Sequence, residues 1–153
     1  MLKHTKGNLL DLAEKGEFDI IVHGCNCFTT MGGGIAREVA ERFPEARAVD
    51  HYGTIHGDYN KLGNYTETMQ LPFKIINAYT QYETSKGEDV FEYTAFALIL
   101  QKLVHAYGDC RFGFPYIGMG LAGGDKTRIV TMLENFAIRV SAKGGTVTLV
   151  EFA

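Results

Sequence analysis

The chain has 153 residues, of which 46% are hydrophobic and 22% are charged, and its formal net charge is −3. These values are typical of a globular protein, and the length predicts a single domain over residues 1–153. The negative charge argues against an extended nucleic-acid surface, which needs a broad basic face. It leaves open a nucleotide-sized ligand, because backbone amides bind phosphate without any net positive charge.

The cysteines and the apolar runs favour a cytoplasmic protein. Cys25, Cys27 and Cys110 are odd in number and form no disulfide framework. Cys-x-Cys without a second pair is poor zinc spacing, and we expect no metal and no organic cofactor. We find no signal peptide and no apolar run near ~20 residues, so we predict no membrane partner. We also expect a monomer.

The first part of the chain is predicted to alternate strands and helices. A short strand is expected at Lys3–Lys6, and Asn8 is placed to cap a small helix after it. Phe18–Val22 is a nearly unbroken apolar run, typical of a central strand covered on both faces. Helical spacing of apolar residues then begins at about Gly33.

Pro44 is predicted to begin another helix, with Ala48 and Tyr52 facing inward. The remaining segments are an irregular stretch at Gly53–Gly63, strands at Tyr65–Gln70, Lys74–Ala78, Arg111–Pro115 and Thr146–Phe152, and helices at Glu88–His105 and Lys126–Ser141. Strands alternating with helices predict an α/β protein of three layers, with a mixed, mostly parallel sheet between helical layers. Ligands in such proteins bind beyond the carboxyl ends of the strands.

Two glycine-rich segments fall at such strand ends. Met31-Gly32-Gly33-Gly34-Ile35-Ala36 follows the central strand, and Pro115-Tyr116-Ile117-Gly118-Met119-Gly120-Leu121-Ala122-Gly123-Gly124-Asp125 follows a later one. The first segment has the pattern of neither a P-loop nor a dinucleotide fingerprint. A tight turn before a helix needs one glycine, whereas three in a row favour close approach of a ligand. Together the two segments predict one ligand with two phosphates, bound from both sides.

Several polar residues near these segments have both a structural and a functional interpretation. Asn26 at the strand end forms a turn or bonds a sugar hydroxyl. Asp125 caps the following helix, orients a water, or does both. Asn8 caps a helix or meets an adenine amino group through its carbonyl or main chain, and His23 is a core histidine or a proton-transfer group. The sequence alone does not choose between these readings.

At this point the sequence resembles the macro domain, the ADP-ribose-binding α/β/α fold, over nearly its whole length. The segments that carry the resemblance are Gly7-Asn8-Leu9-Leu10, Cys25-Asn26-Cys27, Met31 to Ala36, Asn77-Ala78-Tyr79-Thr80-Gln81 and Pro115 to Leu121. The pattern is similar to the phage and yeast-like branch, which is associated with removal of phosphate from ADP-ribose 1″-phosphate. A neighbouring branch cleaves ADP-ribose from protein carboxylates or from DNA.

The resemblance also implies roles for individual residues. Asn8 and Leu9 would meet the adenine, where most members have aspartate at position 8, and Phe152 would border it. Asn26 would hold the distal ribose. The ribose and the phosphates would be bound by the segments Gly32, Gly33, Gly34, Ile35 and Gly118, Met119, Gly120, Leu121, with Thr80 as a further ligand contact. Asp125 would be the catalytic residue.

One departure concerns the branch that cleaves ADP-ribose from macromolecules. Its proposed mechanism uses a lysine just after the threonine of the middle strand, but here Thr80 is followed by Gln81. Lys86 would substitute only if its loop folds back, so the lysine route is disfavoured.

The sequence therefore predicts an enzyme that binds ADP-ribose and hydrolyses ADP-ribose 1″-phosphate to ADP-ribose and phosphate. Asp125 would activate water, Asn26 would position the ribose, and His23 is a weaker candidate for proton transfer. Two alternatives stay open: a mono-ADP-ribosyl hydrolase acting on modified protein or DNA, and an ADP-ribose-binding module without chemistry.

Overall fold

The fold is described from a computed structural model, which covers residues 1–84, 89–120 and 122–153. Within these residues the chain forms six strands and five α-helices. The strands are β1 (Leu2–Gly7), β2 (Ile20–Cys25), β3 (Tyr65–Met69), β4 (Lys74–Tyr79), β5 (Arg111–Phe114) and β6 (Thr146–Phe152). The helices are α1 (Leu9–Glu14), α2 (Gly34–Arg42), α3 (Pro44–Gly53), α4 (Tyr93–Tyr107) and α5 (Lys126–Ala142), and a 3-10 turn occupies Tyr59–Lys61.

The six strands form one sheet in the order β1-β6-β5-β2-β4-β3. Every neighbouring pair is parallel except β3 and β4. The apolar run predicted as a central strand is β2, which lies between β5 and β4 and is buried along nearly its whole length. The predicted mixed, mostly parallel sheet is confirmed.

Two apolar clusters cover the two faces of the sheet. One contains residues of α4 and α5, and the other contains residues of α1, α2 and α3. Successive strand residues point to opposite faces, so Val22 packs in the first cluster and Ile21 in the second. The α/β/α layering expected from the sequence is confirmed.

Asn8 caps α1 as predicted, because its Oδ1 accepts hydrogen bonds from the N–H groups of Leu10 and Asp11, each at 3.0 Å. The inward face predicted for α3 is wrong. Tyr52 is 85% exposed, and the buried positions of this helix are Ala46 and Asp50.

The predicted helix Glu88–His105 is shorter than expected at its start. Glu88 lies outside the described residues, and α4 begins at Tyr93. Phe91 forms a β-bridge with Gln81, and the N–H of Glu92 donates to the carbonyl of Thr80 at 2.7 Å. These contacts hold the residues before Tyr93 in an extended conformation next to the end of β4.

Candidate functional site

The carboxyl ends of four neighbouring strands surround a cavity of about 770 Å³. In order across the sheet, these strands are β6, β5, β2 and β4. Adjacent strands lie about 4.8 Å apart, so the four strand ends span about 14 Å. The volume falls in the range of small-molecule sites. The cavity is long enough for a nucleotide-sized ligand that lies across the strand ends.

The turn after β2 forms one wall of this cavity. Asn26 Oδ1 accepts a hydrogen bond from the N–H of Phe28 (2.8 Å), and its Nδ2 donates to Thr30 Oγ1 (2.7 Å). The turn also holds Met31 at a φ of 40°, a left-handed conformation that is uncommon for a residue other than glycine. Met31 is buried, and the chain emerges from it at the exposed Gly32.

The first glycine segment brings the start of α2 to the cavity. Its lining residues here are Gly32, Gly33, Gly34, Ile35 and Ala36. Gly33 is the N-cap, and Gly34 has a φ of 56°. Among the described residues, none accepts a hydrogen bond from the N–H of Gly34, Ile35 or Ala36. Open N–H groups at the positive end of a helix dipole make this wall suitable for an anion.

The second glycine segment forms the wall beyond β5. Gly118 has a φ of 72°, and a Cβ there would lie 2.4 Å from the ring of Phe91. The carbonyl of Gly118 accepts from the N–H of Gly124 at 2.7 Å, which closes the segment into a tight loop. Within the described part of the chain, the N–H groups of Gly118 and Gly120 have no hydrogen-bond acceptor. The cavity therefore has open backbone donors on two sides.

Thr80 ends the wall at β4. Its N–H donates to the carbonyl of Cys25 at 3.2 Å, so the chain is fixed next to β2. The side chain is 1% exposed, and Oγ1 has no hydrogen-bond partner among the described residues. A Cβ on Gly24 would lie 2.9 Å from this oxygen, so the glycine keeps the space beside it open. A buried hydroxyl at a cavity wall is a ready partner for a polar ligand atom.

The cysteines beside the cavity are protonated thiols. Burial raises the pKa of the Cys25 thiol well above its ordinary value and that of Cys27 to about 11. Because the thiolate is the nucleophile, neither side chain is prepared for nucleophilic attack near neutral pH.

A buried ion pair supports the turn that carries Asn26. Lys61 Nζ lies 3.5 Å from Asp50 Oδ1 and donates to the carbonyl of Cys27 at 3.2 Å. The hydroxyl of Tyr79 donates to the same Asp50 oxygen at 2.7 Å. Lys61 is 6% and Asp50 1% exposed. The pair links α3 and β4 to the first residue after Asn26.

The residues predicted as catalytic do not all meet in the cavity. Asn26 lines it. His23 is buried in the core and hydrogen-bonds Asn77 Oδ1 at 2.6 Å, and burial lowers the pKa of its imidazole to about 4. Asp125 caps α5, with its Oδ1 accepting from the N–H of Arg128 at 3.0 Å, and it is not a lining residue. The structure therefore places Asn26 in the site, His23 in the core and Asp125 at the helix start after the second segment.

Most residues predicted to contact a ligand line the cavity. They are Gly32, Gly33, Gly34, Ile35, Thr80, Gly118, Gly120 and Phe152. Three others do not line it: Asn8, which caps α1, the buried Leu9, and Met119, which packs against the core. Leu121 and Lys86 lie outside the described residues.

Other lining residues were not predicted from the sequence. Thr30, Glu38, Gln81 and Thr84 are the polar ones among them. Glu38 stands one helical turn after Gly34, so the i, i+4 spacing was a signal that it shares the ligand-facing side of α2. Thr84 lies five residues after the end of β4, and no motif in the sequence indicated that it would line the cavity.

The described residues offer neither a metal site nor a membrane span. They contain no group of three or more His, Cys, Asp or Glu side chains that is arranged to hold a metal ion. None of the helices in this part of the chain is both long and apolar enough to cross a membrane.

Solved structures share this architecture. The macrodomain of Mycobacterium tuberculosis DarG superposes with a TM-score of 0.77 and 20% identity, covering 98% of this chain and 97% of that one. The Trypanosoma brucei macrodomain in complex with ADP-ribose has a TM-score of 0.67 and 16% identity, covering 97% of this chain and 62% of that one. The fold is therefore that of a macro domain.

Sequence comparison adds relatives. No protein-family profile matches the chain. An uncharacterized 17.5 kDa protein of Enterobacteria phage T4 is 30% identical over an alignment of 150 residues that covers 92% of each chain. A yeast ADP-ribose 1″-phosphate phosphatase, from Saccharomyces cerevisiae, is 42% identical over 45 residues, 29% of this chain and 24% of that protein. The chain therefore belongs to the same family as the phage T4 protein, and its fold is that of a macro domain.

Proposed function

We propose that the chain binds ADP-ribose across the strand ends. The observation that carries this proposal is the cavity with open backbone N–H groups on two facing segments, which suits a diphosphate in its middle. The span of about 14 Å leaves room for a sugar on either side of the two phosphates. The Trypanosoma brucei macrodomain of the same fold was solved with ADP-ribose.

The ligand would lie in a defined direction. The exposed ring of Phe152, at the end of β6, offers an apolar face for the base. Asn26 and Thr80, at the ends of β2 and β4, would contact the distal ribose. The glycine segments between these ends would bind the diphosphate.

We further propose that the chain removes the 1″-phosphate from ADP-ribose 1″-phosphate. In this reaction a water oxygen forms a bond to phosphorus, the bond between phosphorus and the 1″ oxygen breaks, and ADP-ribose and phosphate leave. Backbone N–H groups would stabilise negative charge on the transferring group, an effect worth about 3 kcal/mol per well-placed donor. The partial match to the yeast phosphatase supports this activity.

Asp125 is the proposed water-activating residue. It follows the second glycine segment, and its carboxylate caps α5 through Arg128. To act, the carboxylate would exchange this contact for a water at the 1″ phosphate. Asp125→Asn keeps the cap acceptor and removes the base, so turnover should fall about 100-fold or more while ADP-ribose affinity is kept.

A non-catalytic binding module is the second candidate. Among the described lining residues, Glu38 is the one charged side chain, and no histidine, lysine or arginine lines the cavity. This set is poor in groups that transfer protons. A site of this kind binds well without driving a reaction.

Three measurements distinguish these functions. Calorimetry with ADP-ribose tests binding, and phosphate release from ADP-ribose 1″-phosphate tests hydrolysis. Binding with phosphate release supports the phosphatase, and binding without it supports the module. Release of ADP-ribose from a modified protein or DNA would instead support the hydrolase, and absence of ADP-ribose binding would refute all three.

A further inference from the structure

Glu38 is a charged side chain in the wall of a cavity built for an anion. It belongs to α2, four residues after Gly34, and is exposed to solvent. A carboxylate about 4 Å from a phosphate is repelled by about 1–4 kcal/mol at the effective dielectric constants of water and of protein surfaces. A place for Glu38 away from the phosphates, next to hydrogen-bond donors of the ligand, is therefore favoured.

The charge of Glu38 is not neutralised by its neighbours on α2. Arg37 forms an ion pair with Glu41 at 3.0 Å. Arg42 contacts Asp11 and Glu14 of α1. Within residues 1–84, 89–120 and 122–153, the side chain of Glu38 forms no hydrogen bond or ion pair. Its carboxylate is available to a ligand.

The position of Glu38 identifies which part of the ligand it meets. A smaller pocket shared by Glu38 and Leu10 shows that this side chain reaches toward α1. β1 ends at Gly7, one residue before the cap of α1, and Gly7 pairs with Phe152 of β6. Glu38 therefore lies on the side of the cavity that faces α1, toward the ends of β1 and β6. In the proposed binding mode this is the end for the base.

The residue predicted to recognise the base is otherwise engaged. Asn8 Oδ1 already accepts from the N–H groups of Leu10 and Asp11, and Asn8 does not line the cavity. Its side-chain oxygen is therefore not free for an exocyclic amine. A different acceptor must serve a base that carries one.

We propose that Glu38 accepts a hydrogen bond from the 6-amino group of the purine and so selects a 6-aminopurine over a 6-oxopurine. This inference rests on the proposed binding of ADP-ribose. A 6-oxo group would present an oxygen to the carboxylate, which repels it. One charge-assisted hydrogen bond at a solvent-exposed site is expected to change affinity about 10-fold.

The test measures dissociation constants of ADP-ribose and of its hypoxanthine analogue by calorimetry. The protein is expected to bind ADP-ribose about 10-fold more tightly than the analogue. Glu38→Ala should weaken ADP-ribose about 10-fold and abolish the preference. Glu38→Gln keeps an acceptor oxygen and should restore part of the preference. The control is Glu41→Ala, on the same helix and outside the main cavity, which should bind both ligands as the unaltered protein does.

Several results would overturn the inference. An equal affinity of the unaltered protein for both ligands, or a preference that persists in Glu38→Ala, excludes Glu38 as the selecting residue while ADP-ribose binding stands. Tighter binding of the guanine analogue, lost in Glu38→Ala, would show that the carboxylate accepts from guanine instead. No binding of ADP-ribose by the unaltered protein would refute the proposed function itself.

Discussion

Replacing Lys61 by Met should destabilise the protein strongly. The substitution keeps the length of the side chain and removes its charge. It leaves the Asp50 carboxylate 1% exposed, with the Tyr79 hydroxyl as a donor and with Oδ2 unpartnered among the described residues. It also removes the hydrogen bond from Lys61 Nζ to the carbonyl of Cys27.

The magnitude follows from what is left behind. Removing one partner of a buried ion pair costs about 3–5 kcal/mol, because the other charge stays buried without compensation. Domains of this kind have a total free energy of unfolding of about 5–15 kcal/mol. At the middle of both ranges, Lys61→Met is expected to lose about 40% of the free energy of unfolding.

Urea unfolding at neutral pH measures this loss. Lys102→Met is the matched control, because Lys102 also donates to a backbone carbonyl, that of Gly63 at 2.8 Å, but lies on the surface. The control should change the free energy of unfolding by about 1 kcal/mol or less. Adding Asp50→Asn to Lys61→Met should cost less than the sum of the two single changes. A loss within about 1 kcal/mol for Lys61→Met would refute this account of the pair.

Three further predictions concern stability and binding. Burial lowers the pKa of His23 in the folded protein to about 4, below that of the unfolded chain. The stability that comes from the neutral imidazole is therefore complete above about pH 6.5 and is lost as the pH falls toward 4, by up to about 3 kcal/mol. Urea unfolding across this range should show a flatter pH dependence for His23→Gln than for the unaltered protein. Gly118→Ala should lower the thermal unfolding midpoint, because the new Cβ would lie 2.4 Å from the Phe91 ring and the φ of this residue is 72°. Gly120→Ala is the control and should leave the midpoint unchanged, because a Cβ there would have no neighbouring atom within 4 Å. Thr80→Val should keep or raise the thermal unfolding midpoint, since it removes a buried hydroxyl that has no hydrogen-bond partner among the described residues. The same change should weaken ADP-ribose binding about 10-fold in calorimetry. An unchanged affinity would contradict a contact between Thr80 and the ligand.

The sequence predicted the fold well because its signals are local. The apolar run of β2, the Asn8 cap and the two glycine segments each depend on neighbours a few residues away. The α3 face failed for the opposite reason. Its inward side contains Asp50, whose burial depends on Lys61 and Tyr79 from other parts of the chain. A charged residue read in isolation predicts an exposed position.

The candidate site was predicted less completely. Rules for strand ends and glycine segments pointed to the backbone segments that line the cavity. The roles of the side chains were harder to predict. The position of Asp125 directly before a helix, for example, is compatible both with a helix cap and with a functional role. The helical spacing from Gly34 indicates the face of α2 that carries Glu38, but only the folded structure shows that Glu38 lines the same cavity as Val150 and Phe152 of β6.

The insertion of β6 between β1 and β5 has a consequence for how the protein forms during synthesis. Of the six strands, β6 is the last to be translated, yet it occupies a place inside the sheet. Until it inserts, β1 lacks its only partner in the sheet of the described residues, and the base end of the cavity lacks Val150 and Phe152. A nascent chain whose β6 is still inside the ribosome is therefore unable to complete this end of the cavity. Ligand capture would then report that the last strand has folded into place.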